Sequence, residues 1–146
     1  AHDMWSMLRL LVLGIWVGAM IGFAFLFAPT AFAHVGPTPA FAATIATCVV
    51  LLTRLGDWCG IVAAGITVFA YLETRKTATI IVACIAVAIA FGFVETAWIV
   101  PQMQSTPLQT PAYDALHQRS STVYSVIVLA ALVAFALSAW RPRTRA

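Results

Sequence analysis

The chain has 146 residues, of which 62% are hydrophobic and 9% are charged, whereas an average soluble domain is about 45–50% hydrophobic and about 25% charged. Charged side chains this few cannot cover the surface that a soluble domain of this length exposes to water. The composition therefore excludes an ordinary soluble protein and makes the lipid bilayer the expected partner. The net charge of +3 is too weak a basic excess to indicate a nucleic-acid partner.

Four apolar stretches approach the ~20 residues that a hydrocarbon core of ~30 Å requires. They are Leu8 to Ala28, Trp58 to Leu72, Thr77 to Val100 and Ser121 to Trp140. We therefore predict an all-α membrane protein, a four-transmembrane-helix bundle that forms one domain over residues 5–141. Residues 1–4 are expected to be a remnant of the expression vector, and residues 142–146 a basic cytoplasmic tail.

Two features set the expected ends of the helices. Pro29 and Pro101 lie where the first and third apolar stretches stop, and both are predicted to end a helix because proline cannot continue one. The 36 residues from Pro37 to Leu72 are too many for one span, since they would reach about 54 Å as a helix. Residues Thr38 to Leu52 are then either an extension of the second helix or, as we favour, a short separate or kinked helix in the outer interface.

The basic residues predict the orientation. Outside the middles of the spans they occur in three places, at Arg9, at Arg75 and Lys76, and in the C-terminal tail, whereas Thr30 to Thr53 and Gln102 to Leu116 contain no Lys or Arg. With four spans, the three basic places share one side of the membrane. The positive-inside rule therefore predicts a multi-pass protein of the cell (inner) membrane with both termini in the cytoplasm.

Small residues in the first span predict close helix packing. Gly14, Gly18 and Gly22 recur every four residues, which lets another backbone approach closely. The partner is either another helix of the same chain or a second copy in a homo-oligomer. Leu51 to Val62 also aligns with Leu116 to Ile127, which indicates either a duplicated helix pair or a chance match.

Polar residues within the spans or near the outer edge of the hydrocarbon are the candidates for function, because an ionisable side chain in a span costs about 2.5–3.5 kcal/mol unless it is paired or hydrated. Counting 1.5 Å per residue from the basic side places Asp57, Glu95 and Tyr124 at about 24–28 Å. The candidate binding residues are Arg54, Asp57, Glu95, His117, Arg119 and Tyr124. They form either an ion-pair network that only clamps the bundle or an outward-facing pocket for a small ion or polar solute.

A metal or haem site would begin with His34 and His117, which are both predicted on the outer side. Two imidazoles can be axial haem ligands, or join Glu95 or Asp57 around a transition metal. The alternatives are an exposed loop residue for His34 and a hydrogen-bonded cap for His117. The sequence itself requires no cofactor. Three separated cysteines predict neither a disulfide framework nor a thiolate metal site, and no common enzyme motif is present.

Several segments resemble a known family. They are LGIWVGAMIGFAFLFAPTAF in the first helix, RLGDWCG in the second, WIVP at the end of the third and YDALHQRSS before the fourth. These segments are similar to the small four-helix membrane proteins like transmembrane protein 205 and, distantly, to the membrane domain of copper-resistance protein D. The resemblance implies a role in tolerance to metal-containing compounds. Family members commonly have a Leu-His pair in the second helix, where this chain has Leu52-Thr53, which argues against a site that needs both histidines.

These observations favour a small polytopic membrane protein that binds, or helps to translocate, a small ion or polar solute. Two alternatives come from other classes of protein: a membrane redox subunit that binds haem or quinone, and a structural or assembly subunit of a membrane complex. An enzyme is not indicated.

Overall fold

The computed structural model describes residues 2–140, apart from the side chain of His2. All regular structure in that range is helical, and four helices of 29–33 residues are long and apolar enough to cross a membrane. The predicted fold class, a four-helix membrane bundle, is therefore confirmed. Residues 2–4 extend the first helix, whereas the predicted tail at 142–146 lies outside the described residues.

The helices are α1 to α4 in chain order. α1 consists of an α-helical segment His2–Gly22, a π-helical turn Phe23–Phe27 and an α-helical segment Ala28–Val35. α2 is Pro39–Phe69, α3 consists of Arg75–Val94, a π-helical turn Glu95–Ile99 and Val100–Ser105, and α4 is Pro111–Ala139. The hydroxyls of Thr38, Thr74 and Thr110 accept hydrogen bonds from backbone N–H groups three residues later. These N-caps fix the first residues of α2, α3 and α4.

The prediction that Pro29 and Pro101 end helices is wrong, because α1 and α3 continue to Val35 and Ser105. A π-helical turn precedes each proline, with the Ala28 N–H bonded to the Phe23 carbonyl and the Val100 N–H bonded to the Glu95 carbonyl. Each proline then occupies the first turn of the next α-helical segment, where it needs no N–H donor.

The preference for a separate interfacial helix over Thr38 to Leu52 is also wrong. α2 runs unbroken from Pro39 to Phe69, as in the alternative of an extended second helix. Between residues 40 and 55 there is no proline or glycine to interrupt it. The hydroxyls of Thr44, Thr47 and Thr53 donate to carbonyls four residues earlier and so are satisfied within the helix.

The helices form an up-down-up-down ring in which α1 and α3 each contact both α2 and α4. We call the end near Arg9, Glu73 and Arg75 the basic end and the opposite end, with Pro29 and Pro101, the proline end. The core contains Leu13, Trp16, Met20, Ala63, Ile81, Ile85, Ala88, Ile127, Ala131 and Ala134. Large apolar side chains such as Phe25, Trp58, Phe93 and Leu129 are exposed, as expected of surfaces that face lipid rather than water.

The glycines that pack closest against another helix lie on α2, whereas the sequence predicts close packing at the glycines of α1. A Cβ added at Gly14 would lie 3.6 Å from the Phe135 ring, but Gly18 and Gly22 have nothing within 4 Å. Of the two alternatives for this stripe, a helix of the same chain as partner applies to Gly14 only. Gly56 and Gly60 of α2 instead receive the indole of Trp16, because only a residue without a side chain leaves room for it.

The two helix pairs share a local pattern. The π-helical turns begin at Phe23 and Glu95, and their prolines are followed by the capped Thr-Pro starts of α2 and α4. Each feature in the second half lies 72 residues after its counterpart, and TPAFAA at Thr38 matches TPAYDA at Thr110. These features indicate a repeat with that spacing, so the alignment of Leu51 to Val62 with Leu116 to Ile127 was one heptad out of register.

Candidate functional site

Glu95 is the most deeply buried carboxylate of the described residues, with a solvent exposure of 0%. It is the first residue of the π-helical turn of α3, a local irregularity that is common at functional sites. The Ser120 hydroxyl of α4 donates a hydrogen bond to Oε1 of Glu95. Its other oxygen, Oε2, has no hydrogen-bond partner among residues 2–140. A polar atom buried in this way needs a bound species or water to satisfy it.

Asp57 lies beside the same part of α3. A Cβ added at Gly92 would be 3.4 Å from Oδ1 of Asp57 and 2.8 Å from Cγ2 of Thr53. The absent side chain at position 92 therefore lets α2 approach α3 closely. Gly92 and Glu95 are three residues apart on one helix face, so the Asp57 carboxyl lies about one helical turn from Glu95.

α4 contributes two polar side chains on one face, Ser120 and Tyr124. The Tyr124 hydroxyl donates to the Met20 carbonyl of α1 at 2.7 Å, and its ring centroid lies 6.4 Å from that of Phe23. Tyr124 thus joins α4 to α1 next to the π-helical turn of α1, while Ser120 joins α4 to α3. We call Asp57, Glu95, Ser120 and Tyr124 the carboxylate cluster.

The basic candidates form no ion pair with the acidic groups of this cluster among residues 2–140. Arg54, His117 and Arg119 are exposed, and the ion pair found within the described residues is formed by Arg9 and Glu73. The predicted network of Arg54 and Arg119 with Asp57 and Glu95 is therefore not formed in this part of the chain. The carboxylate cluster consequently has two acidic groups, and no basic group of residues 2–140 forms an ion pair with either of them.

His34 and His117 do not come together with the carboxylates. The Ala28–Val35 segment that carries His34 packs on α2 rather than α4, and Nδ1 of His34 is 2.8 Å from the Thr30 carbonyl oxygen. Among residues 2–140, no three His, Cys, Asp or Glu side chains are grouped so that they could hold a metal ion. The residues present thus do not fit a metal centre built from these histidines.

A second polar group, at the basic end, is not among the site residues predicted from the sequence. Arg9 is 1% exposed, forms an ion pair with Glu73 and donates to the Thr67 hydroxyl at 3.2 Å. Arg9 had been interpreted only as a marker of orientation. Its spacing of four residues from Leu13 and seven from Trp16 was the available signal, since it places Arg9 on the face of α1 that those residues bury.

Comparisons of the chain with protein-family models, with curated proteins and with solved structures find no match. The resemblance to the transmembrane protein 205-like proteins therefore stays a prediction.

Proposed function

We propose that this multi-pass membrane protein binds a small cation, or the cationic group of a small polar solute, at Glu95 and helps it to cross the membrane. The observation that carries the proposal is the complete burial of Glu95 with one carboxylate oxygen unpartnered among the described residues. A carboxylate in a membrane span is costly unless it serves an ion or proton pathway or is paired. No basic side chain of the described residues pairs with it.

The composition of the cluster favours a positively charged ligand. Asp57 and Glu95 both present carboxylates, and the nearby Tyr124 hydroxyl is already bonded to the Met20 carbonyl. A bound cation would offset the cost of two acidic groups at one level of the bundle. An anion would add to that cost.

Glu95→Gln is expected to abolish stabilisation of the protein by its cation, because the amide keeps the shape of the side chain and removes its charge. Purified protein in detergent would be melted in sodium, magnesium, zinc and tetramethylammonium chlorides, with the chloride of N-methyl-D-glucamine, a cation larger than any of these, at equal ionic strength as the reference. A ligand present at 100 times its dissociation constant stabilises the folded state by about 2.7 kcal/mol. The wild type should therefore melt several degrees higher in the salt that binds.

The matched control is Asp114→Asn, which removes an exposed carboxylate from the proline end of α4. This variant should respond to the salts as the wild type does. The proposal fails if no salt stabilises the wild type, or if Glu95→Gln retains the wild-type response.

A proposed orientation accompanies this function: both termini in the cytoplasm of a cell, or inner, membrane. It is supported by the grouping of Arg9, Arg75 and Lys76 at one end of the bundle and by the positive-inside rule. Ser105→Cys should then react with a membrane-impermeant maleimide in intact cells, and Thr144→Cys only after permeabilisation. The parent chain, whose three cysteines are half-buried, is the control for background. Labelling of Thr144→Cys in intact cells would show that the C-terminus is outside the cell and that the proposed orientation is wrong.

Assembly is a second candidate role, and the open face of α1 favours it. Gly18 and Gly22 have nothing within 4 Å, so a second copy could approach this backbone closely. A homo-oligomer through α1 is therefore proposed beside the binding function.

A further inference from the structure

A lateral groove of about 790 Å³ lies between α3 and α4 near the proline end. Its polar lining includes Gln102, Gln118 and Arg119, and its apolar lining includes Ile99 and Val123. Trp98, which also lines the groove, is 66% exposed. The groove therefore opens on the outer surface of the bundle, where lipid would contact it.

The depth of the groove matches the boundary of a bilayer. Arg119 lies 20 residues before Ala139, the last residue of α4, which is about 30 Å along the helix axis. That distance equals the thickness of the hydrocarbon core, so with Ala139 at one boundary Arg119 lies at the other, among the headgroups. Val123 lies one turn deeper, towards the acyl chains.

The charge of the groove is positive. Arg119 forms no ion pair with the described residues, and no Asp or Glu lines the groove. A guanidinium group carries five N–H donors in a planar arrangement that matches two phosphate oxygens. The amides of Gln102 and Gln118 add donors to the lining, while Val94, Trp98 and Val123 supply an apolar wall.

We propose that this groove binds an anionic phospholipid, with the phosphate at Arg119 and an acyl chain along Val94, Trp98 and Val123. The apolar wall alone would not select this lipid, because an apolar surface at this level would accept any lipid. The arginine gives preference for negative charge, and the groove gives a fixed position to the chain beneath it. This site is separate from the carboxylate cluster and does not depend on the function proposed for Glu95.

The test compares lipids on purified wild type, Arg119→Gln and Arg54→Gln by native mass spectrometry. Detergent micelles are doped with equal amounts of phosphatidylglycerol and phosphatidylcholine of identical acyl chains, and retained lipid is counted. The wild type should retain phosphatidylglycerol preferentially, and Arg119→Gln should lose that preference by about fivefold, the factor expected for one arginine near anionic headgroups. Arg54→Gln removes an exposed arginine of α2 that does not line the groove and should retain the wild-type preference.

Three results would overturn the proposal. The first is equal retention of the two lipids by the wild type, and the second is an equal loss of preference in Arg54→Gln, which would indicate a general effect of charge. The third is displacement of the lipid by millimolar glycerol 3-phosphate, which would assign the site to a free phosphate compound. Both substitutions are at exposed positions and are expected to leave the fold intact, which the melting temperature of each variant verifies.

Discussion

Gly56→Ala is expected to destabilise the bundle by about 1–3 kcal/mol, although alanine normally gains about 1 kcal/mol over glycine inside a helix. A Cβ at position 56 would overlap Nε1 of Trp16 and lie 2.7 Å from its Cε2. The indole is buried, with 2% exposure, and cannot swing into solvent to make room. Unfolding in a detergent and denaturant series would measure the loss.

Gly18→Ala is the matched control for this substitution. Because nothing lies within 4 Å of a Cβ at position 18, the variant should be neutral or gain up to about 1 kcal/mol from helix propensity. Equal destabilisation at both positions would contradict the packing described for α1 and α2.

If a second copy packs on α1, the bulkier Gly18→Leu should lower the mass of the particle in detergent without lowering the melting temperature of the protomer.

Glu73→Gln is expected to cost about 3–5 kcal/mol, because it leaves the buried guanidinium of Arg9 without a counter-charge. The side chains of Arg9 and Glu73 are 1% and 14% exposed, so neither is well screened by solvent. The remaining hydrogen bond from Arg9 to the Thr67 hydroxyl, at 3.2 Å, offers no charge. The same unfolding assay in detergent would report the change.

Two further variants separate loss of the pair from a general effect of charge. Arg75→Gln removes an exposed basic residue at the same end and should change stability by no more than about 0.5 kcal/mol. The double variant Arg9→Met, Glu73→Met should recover most of the loss, since apolar side chains of similar volume can replace a buried ion pair. Wild-type stability of Glu73→Gln would mean that the pair does not clamp the bundle.

The number and type of helices could be predicted from the sequence because four apolar stretches interrupted by polar segments have few other solutions in a membrane. The helix ends were harder. The rule that proline ends a helix considers the proline alone. At Pro29 and Pro101 the helix continues because a five-residue π-helical turn precedes each proline. The 72-residue spacing of the two Thr-Pro starts was present in the sequence and would have located the start of α2.

Prediction of the site was also partial. Counting residues along the helices selected Asp57, Glu95 and Tyr124, and the structure places Glu95 against Ser120 and Asp57 against Gly92. Counting residues could not predict how each helix is rotated about its axis, because that rotation depends on long-range packing such as Thr53 against Gly92. The sequence therefore groups Arg54 and Arg119 with Asp57 and Glu95, whereas in the structure both arginines are exposed and form no ion pair within residues 2–140.

Infrared difference spectroscopy of the glutamate carboxyls tests the proposed cation site most directly. The chain has glutamate only at positions 73 and 95, so labelling glutamate with ¹³C at the side-chain carboxyl isolates two groups. Spectra of the protein in lipid bilayers would be recorded with and without each of sodium, magnesium, zinc and tetramethylammonium. The account predicts that one of these cations shifts a labelled carboxylate band and that the shift is lost in Glu95→Gln. A labelled spectrum that no cation changes, or a shift that persists in Glu95→Gln, would contradict it.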